Sequence, residues 1–515
     1  MKKLKALLSM LLILALVLAL AAGCAGQSEE AAGSETSAAD ANSVDTGDDA
    51  EDEEPASIKF VMVDLSGVAD YADDVVAKIQ EIALEEANLD VDIQYVSMGN
   101  WQNSVLLSLS AGEAIDVIHM GWSNNVTNMY AAGQLLEIGD ELREYAPETL
   151  ELMADYMDTY TFDGGIYGVP TNRNFCKNGY FLMRKDMLEA VGMVEKAENM
   201  TTFSELEEIF AAIKEAYPNV FPFVNMYGMW SDCYVCGTDN FSDYDVYDNL
   251  GDSLSMIYCK DDKVQIITDL EAFENECART AKWYDAGYCW PDAITASVAN
   301  SGNDYIKEGT GFSTSHGSEF GVEANYSAQW GTECFAVKFA DGMVKTSQPS
   351  SLGVGVPITS EDPEAACKFI NLLYTNSELM NYLIWGIEGD DYTLEDGLVK
   401  LSTEGSAYHL SDFLIGNNLL LTPLYGNSAD FYSEVAEINQ NAVKSDYLGF
   451  TFDSDGMDLI ITQISAVYDE YRIGLVAGAY TPEKYAEYKE KLEAAGIREY
   501  QEAFQTQLDA WLASK

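Results

Sequence analysis

Apolar and polar positions follow one another along this chain in blocks whose period changes from block to block. The first block has no period: Ala6 to Leu20 is an apolar run, interrupted by Ser9 alone, behind Lys2, Lys3 and Lys5, closed by Ala21-Ala22-Gly23-Cys24. A basic start, an apolar centre and small residues at the end have the form of a secretory signal. The run is shorter than the roughly 20 residues a membrane-spanning helix needs. The next block, 25–56, has acidic side chains, no base and no aromatic residue. It cannot bury enough surface to offset the entropy of ordering, so a disordered acidic tether, extended by its own charge, is expected.

From residue 57 the periods become those of a folded body. Residues 57–63 and 91–96 predict strands, and 114–120 a third. Between them Val75, Val76, Ile79, Ile82 and Ala83 recur at helical spacing, and 101–109 predicts a second helix. Strands alternating with helices imply a largely parallel sheet, whose ligands sit beyond the carboxyl ends of the strands. Those ends are Asp64–Ser66 and Gly121-Trp-Ser-Asn-Asn125. Helices are predicted around 135–145 and 147–156, then a hairpin over 160–170 about Asp163-Gly164. A helix over 203–217 is entered through Thr201-Thr202 and stops before Pro218. The tail predicts three helices, about 459–477, 482–495 and 499–512, with Thr481-Pro482 opening the second and Gly496 ending it. Tyr468, Tyr471, Tyr485, Tyr488 and Trp511 on them are read as packing, as are Trp283 and Trp290 farther upstream.

Length and charge narrow the picture. A chain of 515 residues exceeds one ordinary core and suits two large lobes. Its 86 acidic residues against 28 basic ones give a net charge of −58. Such a field repels phosphate backbones and offers no basic patch to anionic lipid, so nucleic-acid binding is excluded. The charge itself reads as solvation of a secreted surface. Of nine cysteines, Cys233 and Cys236 alone have redox or zinc spacing; with three histidines in the chain and no second pair, a local disulfide or two thiols is preferred to a metal. No phosphate-cradling, dinucleotide, nucleophile-elbow or zinc-protease motif occurs, so no cofactor and no catalytic residue is assigned.

Two resemblances join these pieces. Ala22-Gly23-Cys24 resembles the lipobox of bacterial lipoproteins, which implies that Cys24 takes lipid and becomes the mature N-terminus. Asp163-Gly-Gly-Ile-Tyr-Gly-Val-Pro170, then Tyr180-Phe-Leu-Met-Arg-Lys-Asp-Met-Leu-Glu-Ala-Val-Gly192, then Thr202-Phe-Ser-Glu-Leu206 look like the first inter-lobe crossing of extracellular solute-binding proteins of ABC importers. Downstream, Thr310–His316, Leu352-Gly-Val-Gly-Val-Pro357, 364–374 and Trp385-Gly-Ile-Glu-Gly-Asp-Asp-Tyr392 continue the order of the maltose-binding-protein-like sugar receptors, in their LplA-like branch, as does 449–515. The resemblance implies an α/β, two-lobe periplasmic-binding-protein-like fold of type II, with a hinge of crossing strands and extra C-terminal helices. The expected divisions are a signal peptide 1–24, a tether 25–56, lobe one from 57–170 and 346–378, and lobe two from 171–345 and 379–515. It implies a lipid-anchored, monomeric receptor on the outer face of the cell membrane that hands a carbohydrate to permease subunits served by a separate ATPase.

A sugar cleft needs aromatic faces and planar polar groups able to meet several hydroxyls. The candidates are Trp122 and Asn124 at a strand's carboxyl end, Asn172 and Arg173 after the first crossing, and His316 with Glu319. Trp230 in an irregular loop and Trp385, Glu388, Asp391 and Tyr392 in a glycine-rich turn complete the set. Each has a plainer reading as core, turn or surface. Two other functions use the same residues: a peptide or osmolyte receptor on the same fold, and a surface glycoside hydrolase built on Glu388, Asp390 and Asp391.

Overall fold

The computed structural model describes residues 54–224, 234–295, 302–318, 320–402 and 407–515; Cys24, Trp230, Cys233 and Glu319 lie outside the described residues. Strands β1 (Ala56–Asp64), β2 (Leu89–Ser97) and β3 (Val117–Gly121) open the folded chain, with helices α1 (Asp73–Ala87) and α2 (Trp101–Ser110) between them. β2 and β3 each pair parallel to β1, as alternating strands and helices require. α1 buries Val75, Ile79 and Ala83, one stripe of its surface, against this sheet. Two later strands complete it. Leu352–Gly355 pairs antiparallel with β3 on one side and with Val169–Pro170 on the other.

The hairpin before that first edge strand forms as predicted. Thr161–Phe162 pairs with Gly165–Ile166 through Asp163 and Gly164, whose φ angles of 50° and 84° are both left-handed, as the favoured two-residue turn demands. Beyond it a second sheet is built in the order Cys334–Ala340, Asn178–Arg184, Gly311–Ser318, Phe221–Phe223. Its core gathers Phe181, Met183, Leu206, Phe210 and Trp283. The helix Phe203–Ala216 on this core starts in a capping box, with Thr202 accepting from Glu205 N while the Glu205 carboxylate accepts from Thr202 N. Trp283 and Trp290 are both buried.

A third hydrophobic body joins two distant stretches. Residues 235–277 supply Val235, Tyr258, Ile266 and Phe273, and 447–508 supply Ile464, Tyr488, Tyr500, Phe504 and Leu508. The tail helices run over Asp458–Gly474, Pro482–Ala494 and Ile497–Ser514. Thr481 accepts from Lys484 N at the start of the second, and Gly496 has φ +93° at its end. Tyr485 and Tyr488 are buried, and Tyr471 stacks on Tyr488 at 5.5 Å, so these aromatics pack as expected.

Three segments carry the chain between the sheets: 171–177, 341–351 and 442–446. Val443–Lys444 pairs with Met343–Val344, binding the third crossing to the second. Gly342 lies so close to the first that a Cβ there would stand 2.0 Å from the Lys177 carbonyl oxygen. A side chain would force the crossings apart. This is a two-lobe α/β body with a hinge of crossing strands.

One boundary differs from the expected division. Residues 379–435, expected with the second lobe, bury Leu383, Trp385, Tyr408, Leu414 and Val435 in the core around the first sheet. The described cysteines, Cys176, Cys236, Cys259, Cys277, Cys289, Cys334 and Cys367, are buried free thiols. Among the described residues no helix is long and apolar enough to cross a membrane.

Candidate functional site

β3 ends at Gly121 and the chain turns back at once. Gly121 and Asn124 exchange backbone hydrogen bonds of 3.1 and 3.0 Å, leaving Trp122 and Ser123 at the tip. Trp122 has φ +51°, a left-handed conformation that is costly for a bulky side chain and persists only where the surroundings over-determine it. Here they do. Asn125 Nδ2 donates to the Trp122 carbonyl (2.9 Å) and Asn128 Nδ2 to the Ser123 carbonyl (3.0 Å). Asn125 Oδ1 accepts from Asn128 N (3.0 Å), capping the short helix α3 (Val126–Ala131) that follows.

The indole is propped from below. His119 meets it edge-on with ring centres 5.9 Å apart, and His119 rests in turn on Trp101 at 5.8 Å. Burial drives the His119 pKa down to about 3, so the imidazole is neutral at any physiological pH. Trp122 remains 37% exposed. A large aromatic held in a strained turn, backed by a dry stack and open on one side, is a platform for a flat apolar face.

Trp122 opens onto a cleft of about 490 Å³, within the range of small-molecule sites. Asn125, Thr127 and Asn128 flank it on the same wall. The crossing segments contribute Arg173, Thr346, Ser347, Ser350 and Ser351, and Phe413 comes from the loop beside them. The third body supplies Leu250 to Ser253, Phe450 to Phe452, Ser454, and Tyr500 and Phe504 of the last helix. The lining is thus rich in hydroxyls and aromatic rings.

Its ionisable groups are already engaged. Arg173 donates to Ser351 Oγ (2.9 Å) and to the Gln348 carbonyl (3.4 Å), tying the first crossing to the second. Asp252 accepts from Leu254 N, Met256 N, Ile257 N and Tyr500 Oη at 3.0, 2.6, 2.8 and 2.8 Å. Burial nevertheless pushes its carboxyl above the usual carboxylate range, with those hydrogen bonds pulling the other way. Both side chains are held by these contacts, and the hydroxyls and amides that make up the rest of the polar lining fit a hydroxyl-bearing ligand.

Of the residues expected in a site, Trp122 and Arg173 line this cleft, and the others described do not. Asn124 is buried within the turn and its neighbour Asn125 faces the cleft instead. Asn172 is buried in the first crossing, where its amide donates to Asn417 Oδ1 at 2.9 Å. Trp385 is core, its indole donating to the Thr422 carbonyl (3.1 Å). Asp391 closes a turn, accepting from Ile387 N (2.8 Å) and Tyr408 N (2.7 Å). Glu388 is exposed beside that turn, and Tyr392 begins a strand paired with Leu398–Leu401. His316 sits in the second sheet against Tyr326, with ring centres 6.1 Å apart. Sequence reasoning missed Asn128, Ser350, Ser351, Phe413 and the 450–454 turn. Asn125 and Asn128, at the start of the helix after a strand's carboxyl end, were the ones a positional rule could have found.

Fold and cleft together define an extracellular solute-binding protein. Residues 69–379 match the family of bacterial extracellular solute-binding proteins, and the chain belongs to it. Residues 446–513 match a domain of unknown function, DUF3502. A carbohydrate ABC transporter substrate-binding protein of Streptococcus pneumoniae is 25% identical over 469 residues, covering 88% of this chain and 91% of its own length. Among solved structures, the N-glycan transport solute-binding protein NgtS of Streptococcus pneumoniae superposes with a TM-score of 0.76 at 20% identity, over 89% of this chain and 99% of its own. A solute-binding protein of Bifidobacterium longum infantis described as binding HMO, at 15% identity, gives a TM-score of 0.59 over 89% and 99%.

Proposed function

We propose that this chain is the carbohydrate-capturing subunit of an ABC importer, holding a neutral oligosaccharide or similar polyol against Trp122 and passing it to permease subunits. The observation that carries the reading is the cleft itself. Its exposed, propped indole can stack on the apolar face of a sugar ring, and its serine, threonine and asparagine side chains can meet the hydroxyls around the rim. Closure of the lobes on the hinge would follow from a ligand touching both walls at once. The carbohydrate relative and the glycan-binding neighbours support the same substrate class. In this reading the chain breaks no bond; among the described residues that line the cleft, Asp252 is the one carboxylate, and it is already engaged.

A thermal-shift screen of neutral oligosaccharides, peptides and small osmolytes tests the class. Stabilisation by oligosaccharides, with the sugar recovered uncleaved, is the expected result. Stabilisation by peptides or osmolytes alone would remove the carbohydrate assignment, and turnover of the sugar would make the protein a hydrolase.

The anchoring belongs to the same proposal. Cys24 would carry the lipid, and the acidic tether would hold the folded body away from the membrane. Cells fed an alkyne-tagged fatty acid should label the wild-type protein and leave Cys24→Ala unlabelled, with the variant released to the medium. Equal labelling of both would place the anchor elsewhere.

A further inference from the structure

We propose that the C-terminal domain of unknown function is the ligand-selecting wall of the cleft, its 450–454 turn reading sugar units beyond the one stacked on Trp122. This rests on the carbohydrate reading above. The helices of this tail pack into the third body. Yet the turn that precedes them lines the same cleft as the β3 end.

That turn is built with more care than an exposed loop needs. Gln507 of the last helix clamps residue 453 at two points, its Oε1 accepting from Asp453 N and its Nε2 donating to the Asp453 carbonyl, both at 2.8 Å. Phe452 stacks on Phe504 with ring centres 3.6 Å apart and planes 7° from parallel, and Tyr500 meets it edge-on at 5.6 Å. Phe450 is pinned against Trp511 at 5.8 Å. The tip itself, Asp453 to Gly456, is exposed. A pre-organised segment with a solvated tip loses little entropy when a ligand settles on it.

A second cleft segment is tied to the same helix. Asp252 organises residues 252–257 through three backbone amides and receives the Tyr500 hydroxyl, so 250–257 and 450–454 are fixed to one support. Both also spring from the hinge. Thr346 in the second crossing donates from its backbone N to Asp248 Oδ2 (2.9 Å), and its hydroxyl bridges Asp248 Oδ2 (2.8 Å) and the Tyr447 carbonyl (2.9 Å). Asp248 and Tyr447 stand at the roots of the two segments. Closing the hinge therefore carries this wall relative to Trp122 as a unit.

The chemistry suits a second sugar unit. Thr451, Ser454 and Ser253 offer hydroxyls, Phe452 a half-exposed ring, and Asp252 no spare lone pair for a cation. A cleft of about 490 Å³ has room for more than one pyranose ring, and a unit past the first can meet this wall.

The test is calorimetric titration of the full chain with two ladders: the Man1GlcNAc and Man5GlcNAc glycans, and kestose with fructo-nystose. Wild type is compared with Phe452→Leu, Ser454→Ala and, as a reference, Trp122→Ala. Phe452→Leu keeps apolar volume over Phe504, and Ser454 is exposed, so a melting temperature near wild type shows that each variant folds. The wall variants should weaken the longer member of the bound ladder by about tenfold and the shorter by about twofold or less. Trp122→Ala should weaken both. Equal effects of the wall variants on both lengths, no effect on either, or a wild type that binds both lengths equally would overturn the wall. A wild type that binds neither these glycans nor any oligosaccharide of the thermal-shift screen would instead sink the carbohydrate reading, a separate failure visible before any variant is made.

Discussion

Trp122→Ala should leave a folded protein whose affinity for its sugar is lower by about 30- to 150-fold. Truncating a central aromatic anchor typically costs about 2–3 kcal/mol of binding, and each 1.4 kcal/mol is tenfold. The indole is partly exposed and stands at the tip of a turn whose five asparagine and backbone hydrogen bonds do not involve its ring. Its loss therefore removes the platform without releasing the turn. Calorimetric titration beside a thermal melt checks both parts. A variant that melts near wild type and binds as tightly would mean that the ligand sits elsewhere. Trp122→Phe should recover part of the affinity, because a smaller flat face stacks on the same support.

The largest expected effect on stability lies in the third body. Arg472 is fully buried on the helix Asp458–Gly474 and donates to the Ser255 carbonyl at 2.8 Å and, more weakly, to the Leu254 carbonyl at 3.5 Å. Its guanidinium lies over Tyr468, 4.8 Å from the ring centre, and 5.8 Å from that of Phe273. Arg472→Ala strips these donors from the loop that Asp252 organises and leaves a cavity of nearly a whole side chain. The expected loss is about 3–5 kcal/mol, the range for emptying a large buried site or breaking a buried charged contact. Arg472→Met fills most of the space and should cost clearly less. Denaturant melts followed by tyrosine and tryptophan fluorescence measure both. A loss below about 1 kcal/mol for the alanine variant would show that this body does not depend on the arginine.

What could be read from the chain, and what could not, divides on how local the cause is. β1, α1, β2, α2 and β3 were legible because alternation and helical spacing are set within a few residues by which face must be buried. The Asp163-Gly164 turn was legible because two left-handed positions in succession admit few residue pairs. The attachment of 379–435 was not. Trp385 and Tyr408 show that something covers them, and their spacing carries no information about which sheet does so.

The site divides in the same way. Trp122 was accessible because a general property of parallel sheets points to carboxyl ends. Trp385 and Asp391 share the glycine-rich, aromatic and acidic composition of a binding loop, but Asp391 closes its own turn and Trp385 is buried in the core, bonded to the Thr422 carbonyl. The 450–454 turn sits among aromatics that are real packing, so its open side becomes visible only when the last helix and the hinge are in place.

The position of the sugar in a crystal structure of the complex tests the central claim most directly. The predicted result is an intact sugar with one ring lying flat on the Trp122 indole, between the β3 turn and the crossing segments. A ligand seated elsewhere with Trp122 in open solvent, or one found cleaved, would contradict it.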